Sequence, residues 1–152
     1  MDLEFGSEYD EFTKEVESFC KEYSNAIITT SNDKKFEMHD ALSGNSNEKS
    51  GKIVNRSDWQ RLLIEKGYFA RSIPKEYGGY GGEPDIIKSR IIATEFSKHK
   101  VPNAMGGQGI DMLVPTLLEW GTEEQKQKYI KSTLHGETIW CQGYSEPNAG
   151  SD

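Results

Sequence analysis

The residues best suited to chemistry form one run, Ser145-Glu-Pro-Asn-Ala-Gly-Ser-Asp152. Its small side chains allow a ligand to approach the backbone closely. Ser145 and Ser151 offer hydroxyls that donate or accept hydrogen bonds. Successive N–H groups in such a turn can form a concavity for an anion, and Pro147 fixes the local path. This chemistry suits a planar ligand with a polar edge and attached phosphates. A plain connecting turn is the competing reading, and the residues alone leave both open. Ser145 beside Glu146 does not read as a nucleophile with its base, because adjacent residues on an extended chain point to opposite sides.

Other candidates are weaker. His39, His99 and His135 are widely spaced and lack metal-ligand spacing, so no metal site is expected. Gly106-Gly-Gln-Gly109 lacks the third glycine of a dinucleotide fingerprint and follows no strand. Close helix packing is the better reading of it. Cys20 and Cys141 form neither a CxxC pair nor a disulfide framework.

The elements that position the run are mostly helical. Tyr9, Phe12, Val16, Phe19 and Tyr23 recur every three or four residues, an amphipathic stripe with Ser7 as its expected N-cap. Residues 29–55 are rich in Ser, Asn, Lys and Gly and read as a long polar loop. Ser57 to Gly67 reads as a short helix, capped by Ser57 and closed by Gly67 in a left-handed conformation. Ile73-Pro-Lys-Glu-Tyr-Gly-Gly-Tyr-Gly-Gly82 is expected to be a tight loop with its backbone against a neighbour. Pro84 opens the next helix, with Ile87, Ile91 and Phe96 inward and Ile86 and Ile92 flanking.

Ala104 to Trp120 is apolar on nearly all sides and reads as a buried helix interrupted at Pro115. Thr122-Glu-Glu-Gln125 has the capping-box pattern, and a helix is expected to about Thr133. The period then changes. Thr138-Ile-Trp-Cys-Gln-Gly-Tyr144 alternates like a strand. A lone strand needs a partner. The expectation is therefore a mainly α chain: an N-terminal helical domain over 1–136, then 137–152 as the start of a truncated β domain. Exposed apolar surface is expected at Ile139 and Trp140.

Composition bounds the function. The chain has 152 residues and a formal charge of −7. Its acidic balance argues against non-specific nucleic-acid binding. Lys34-Lys35 and Lys126 to Lys131 read as solvated faces, because acidic residues accompany them. No stretch reaches the roughly 18 apolar residues of a membrane span. MDLEFGSEYDEF has no secretory pattern, so a reducing, cytoplasmic setting is expected.

Tyr144-Ser-Glu-Pro-Asn-Ala-Gly-Ser-Asp152 closely resembles the first signature of the acyl-CoA dehydrogenase family. Ile73 to Gly82 resembles that family's PxEYGGxG loop, and Gly121-Thr-Glu-Glu-Gln-Lys126 its GTEEQK helix start. The match runs in order from about Ser57 to Asp152, and WCQGYSEP is similar to bacterial members. The resemblance implies a helical domain, a middle β domain and a C-terminal bundle, with FAD between the last two. It implies oxidation of an acyl-CoA thioester to the trans-2-enoyl thioester, as in fatty acid β-oxidation and lipid metabolism. A carboxylate removes the α-proton, the β-hydride goes to flavin, and an electron-transfer flavoprotein accepts the electrons.

By the same resemblance, Gln142, Gly143, Tyr144, Ser145, Glu146, Pro147, Asn148, Ala149, Gly150 and Ser151 bind FAD. Ser151 is also the expected substrate contact. The catalytic base is expected beyond Asp152, so no residue here is assigned catalysis, and this chain alone is expected to be inactive. A homo- or hetero-oligomer is implied for the longer protein. An acyl-CoA oxidase or flavin monooxygenase of the same fold is the alternative reaction. A non-catalytic helical interaction module is the alternative class.

Overall fold

A computed structural model describes residues 6–29, 52–144 and 148. The expected polar loop therefore lies largely outside the described residues. Helix α1 (Ser7–Glu22) is followed by strand β1 (Ile27–Thr29). Strand β2 (Ile53–Asn55) pairs with β1 in parallel, Ile27 opposite Ile53, and runs directly into helix α2 (Arg56–Glu65). A 3₁₀ turn at Lys75–Tyr77 precedes helix α3 (Ile86–His99). A π-helical turn (Gly109–Leu113) then leads into helix α4 (Val114–Trp120), and helix α5 (Glu123–Leu134) follows. The architecture is mainly α, as expected.

The ends of these helices follow local chemistry. The capping box forms as the sequence requires: Thr122 Oγ1 accepts from Gln125 N, and Gln125 Oε1 accepts from Thr122 N. Gly67 adopts a φ of +70° after α2, its expected left-handed position. Three other starts move by one or two residues. Ser7 is the first residue of α1, and Gly6 precedes it without a side-chain cap. Asn55, not Ser57, caps α2, its side chain accepting from Ser57 N at 2.9 Å. Pro84 lies ahead of α3 rather than in its first turn, and Asp85 caps the helix, accepting from Lys88 N at 2.9 Å.

Two cores hold the molecule. In the first, Val16, Phe19 and Cys20 of α1 meet Trp59 and Leu63 of α2 and Ile92 and Phe96 of α3. Phe19 stacks on Trp59 at 5.9 Å and on Phe96 at 6.0 Å between ring centroids. The α3 face is rotated from the expected one: Ile92 is buried, Ile91 is partly buried, and Ile86 is 87% exposed. In the second core, Ile64 of α2 and Tyr77 meet Val114 and Leu117 of α4 and Ile130 and Leu134 of α5.

The Ala104–Trp120 stretch is not buried on all sides. Its helix starts late, in the π turn, and Met112 and Trp120 face outward. Pro115 is the second residue of α4, just after the π turn, rather than a break in mid-helix.

Candidate functional site

The run of candidate site residues is carried by the segment leaving α5. Gly136, at φ +69°, turns the chain, and Glu137 N and Thr138 N both donate to Ser132 O. The chain then passes back along α5. Thr138–Tyr144 does not form the expected strand. Among the described residues no neighbouring strand lies beside it, so its alternating pattern has no edge to pair with.

Trp140 fixes this segment. Its indole N–H donates to Thr133 Oγ1 at 2.9 Å, and the Thr133 hydroxyl donates to Tyr129 O at 2.7 Å. The Tyr129 and Trp140 rings meet edge to face, 5.5 Å apart. Beneath Trp140 lies Gly109, where an added Cβ would stand 2.5 Å from Trp140 Cδ1 and 2.9 Å from Thr133 Cγ2. Of the Gly106–Gly109 cluster, Gly109 alone shows the expected close packing: a Cβ on Gly107 would meet nothing within 4 Å, and one on Gly106 only Asp111 Oδ2 at 3.6 Å. Trp140 is half-buried rather than exposed, whereas Ile139 is 73% exposed.

Two residues on, Gln142 is also tied down. Gln108 Nε2 donates to Gln142 Oε1 at 2.9 Å, and Gln142 Nε2 approaches Met112 Sδ at 3.5 Å. Cys141, Gly143 and Tyr144 are exposed, and a Cβ on Gly143 would meet nothing within 4 Å. Residues 139–144 make no backbone hydrogen bond to other described residues. Asn148 lies in a turn and is exposed. Ser145, Glu146, Pro147, Ala149, Gly150 and Ser151 fall outside the described residues.

The described part of the run is open. It offers backbone groups with no backbone partner among the described residues, an open glycine and an exposed aromatic ring on a segment held by Trp140.

Charge gathers at the turn that begins the segment. Arg61 and Glu137 pair at 2.6 Å, and His135 Nδ1 lies 3.7 Å from the same carboxylate. The Arg61 hydrogen bond holds the Glu137 carboxyl below its usual range. Burial, reinforced by the nearby Arg61 charge, pushes the His135 imidazole below its usual value. Among the described residues no three His, Cys, Asp or Glu side chains are grouped to hold a metal.

Sequence reasoning missed two features. A cleft of about 510 Å³ opens between the end of α2, α3 and the start of the π turn. Leu63, Phe69, Ile92 and Phe96 give it apolar lining, and Arg71 and Asp111 add charge. Its walls come from segments far apart in sequence, so no local signal marks it.

The second is Gln60. It is fully buried, donates to Leu134 O at 3.1 Å and accepts from Met105 N at 2.7 Å. A glutamine inside an apolar stripe was the available signal. The Ile73–Gly82 loop, by contrast, does what its glycines suggest. Gly78 (φ +86°) lies against Lys131 of α5, and the buried Tyr77 donates its hydroxyl to Glu123 Oε2 at 2.9 Å.

Residues 6–137 match the family model described as "Acyl-CoA dehydrogenase, N-terminal domain". Acyl-CoA dehydrogenase IpdE1 of Mycolicibacterium smegmatis is 36% identical over 97 residues, covering 64% of this chain and 24% of that protein. The short-chain-specific acyl-CoA dehydrogenase of Clostridium acetobutylicum is 43% identical over 98 residues, covering 60% of this chain and 24% of that protein. A chain of the ChsE4–ChsE5 complex from Mycobacterium tuberculosis superposes with a TM-score of 0.55 at 24% identity, over 99% of this chain and 33% of its own length. The chain therefore spans about a quarter of the curated relatives it matches.

Proposed function

The chain belongs to the acyl-CoA dehydrogenase family, and from that premise we propose that it is the N-terminal part of an FAD-dependent enzyme that oxidises an acyl-CoA thioester to the trans-2-enoyl thioester. The supporting observation is the segment after α5 that leads to the signature, held by Trp140, with Gly143 open and Tyr144 84% exposed.

In this reading residues 1–136 are the helical domain and 137–152 begin the middle β domain. Gln142, Gly143 and Tyr144, with the signature residues through Ser151, border the flavin. When bound, FAD supplies the acceptor for the β-hydride, while a carboxylate from a later part of the protein takes the α-proton. This chain's own residues hold and orient. Trp140 and Gln142 tie the segment to α5 and the π turn, and Ser151 contacts the substrate. The working protein is an oligomer in the cytoplasm, passes its electrons to an electron-transfer flavoprotein and serves lipid metabolism.

The test is expression of the full gene product. It is expected to copurify with a yellow flavin and to form enoyl-CoA from an acyl-CoA when an electron acceptor is present. The 152-residue chain alone is expected to show no turnover. A full gene product free of flavin refutes the cofactor reading, and turnover by the 152-residue chain refutes its assignment as one part of the active unit.

A further inference from the structure

We propose that the cleft beside α3 receives the far end of the acyl group, and that Arg71 selects acyl groups that end there in a carboxylate. The proposal rests on the acyl-CoA reading above and names a substrate class within it. The cleft holds about 510 Å³, and small-molecule sites span roughly 300–1,000 Å³. Leu63, Phe69, Ile92 and Phe96 make it apolar, so it suits a hydrocarbon body. It also adjoins the segment after α5. Met105, Gly106 and Ile110 line both the cleft and a smaller cavity, of about 70 Å³, that reaches Ile139 and Trp140.

Arg71 is held ready at this cleft. Gly82 N donates to Arg71 O at 2.8 Å, beside Tyr80 N donating to Ala70 O at 3.1 Å, and this pins its backbone. The guanidinium lies over the Tyr80 ring, 5.3 Å from the centroid. Its Nε donates to Glu83 O at 3.3 Å and its Nη1 to Gly67 O at 3.4 Å. A guanidinium has five N–H donors, so these two bonds leave others free. Among the described residues no carboxylate pairs with it, whereas Arg61 is paired with Glu137.

A purely apolar ligand would cover those free N–H groups and take their water without replacing it, which is unfavourable. A carboxylate at the far end of the ligand accepts from them instead. Such a pair is charge-assisted, and the planar fork of an arginine suits two-point contact. The phosphates of coenzyme A fit this cleft less well. Arg71 and Asp111 are its charged lining residues and cancel, and Asp111 Oδ2 already accepts from Gly107 N at 2.9 Å. A polyphosphate would meet no net positive field there.

The test assays the full gene product with matched acyl-CoAs that end in a methyl or a carboxylate. The pairs run from hexanoyl against adipoyl to dodecanoyl against dodecanedioyl. The readout is the ratio of kcat/KM within each pair. At one chain length or more, the carboxylate member is expected to exceed its methyl partner about tenfold, the size of one charge-assisted bond. Arg71→Met keeps the apolar stem without the charge and should bring that ratio to near unity. A merely structural Arg71 would lower both members alike and keep the ratio. Ala93→Trp fills the cleft from an exposed position on α3 and should also erase the preference, with Arg71 intact.

A wild-type ratio near unity for every pair overturns the proposal and leaves the acyl-CoA reading standing. A carboxylate preference that survives either variant overturns it too. A product that oxidises neither series removes the reading beneath the proposal, and does so before any variant is made.

Discussion

Gln60→Leu tests the join between the two cores. Gln60 is 0% exposed and bridges Leu134 O at the end of α5 to Met105 N in the loop before the π turn. Leucine fills nearly the same volume. It leaves the Leu134 carbonyl, one of the orphan acceptors of a helix end, and the Met105 N–H without this partner. Each unmet buried group costs roughly 1–3 kcal/mol, and the added apolar burial returns about 2 kcal/mol at most. The expected net loss is about 2 kcal/mol by urea unfolding of the protein at neutral pH, with an unchanged slope.

Gln60→Glu sharpens the test. An ionised carboxylate there would face the Leu134 carbonyl oxygen, so its folded pKa must rise above the unfolded value. The stability of that variant is therefore greatest at low pH and is lost as pH climbs through the raised value. When protonated, the glutamic acid can donate to Leu134 O and accept from Met105 N, as glutamine does. A Gln60→Leu variant within about 0.5 kcal/mol of wild type, the range of an ordinary surface change, refutes the clamp. So does a Gln60→Glu variant whose stability ignores pH.

Three further outcomes can be checked. Gly79→Ala would drive a Cβ into the Ile73 carbonyl oxygen and place it 2.5 Å from Ile73 Cβ, so a loss of about 1–3 kcal/mol by urea unfolding is expected; neutrality would contradict the packing of this loop. Tyr77, held by its hydrogen bond to Glu123, has its pKa pushed up from 10.0 to about 12. Stability from this pair should be intact below pH 10 and lost as pH rises towards 12, and Tyr77→Phe should flatten that loss in alkaline unfolding curves. Cys20 is buried and its thiol is pushed up to about 11, mainly by burial and then by Glu95, whereas Cys141 is exposed. A thiol reagent should label Cys141 in the native protein and Cys20 only on unfolding; equal rates would refute that burial.

What the sequence made legible was chiefly local. The capping box at Thr122–Gln125 needs only residues three apart. Gly67 shows itself because few residues other than glycine accept its φ readily. The α1 stripe is read from its period, and Val16, Phe19 and Cys20 lie inside. What failed needed distant partners. Asn55 and Ser57 are both good caps, and it is β2, pairing with β1 across residues 30–51, that leaves Asn55 extended at the helix start. The 138–144 pattern favours a strand by composition, yet composition cannot supply a neighbouring edge. Gln60 and the cleft are likewise made by segments that sequence order keeps apart.

The placement of the candidate site follows from which core carries it. Helix α2 gives Trp59 and Leu63 to the first core and Ile64 to the second, with Gln60 between them. Among the described residues the segment bearing Gln142 and Tyr144 is held through α5 at Thr133 and the π turn at Gln108, Gly109 and Met112. The first core reaches the site through α2, through Phe69, which packs against both cores, and through Ala104 just ahead of Met105; Gln60 is the polar contact through which a movement of α2 reaches both ends of the anchoring region. It holds the carbonyl of Leu134, next to Thr133, and the N–H of Met105, ahead of the π turn. A rotation of α2 that broke the clamp would loosen α5 and the π turn together, which are the two surfaces that fix Trp140 and Gln142. A buried glutamine suits this role better than an apolar side chain would: leucine tolerates sliding, whereas two directed hydrogen bonds to backbone groups on separate elements do not.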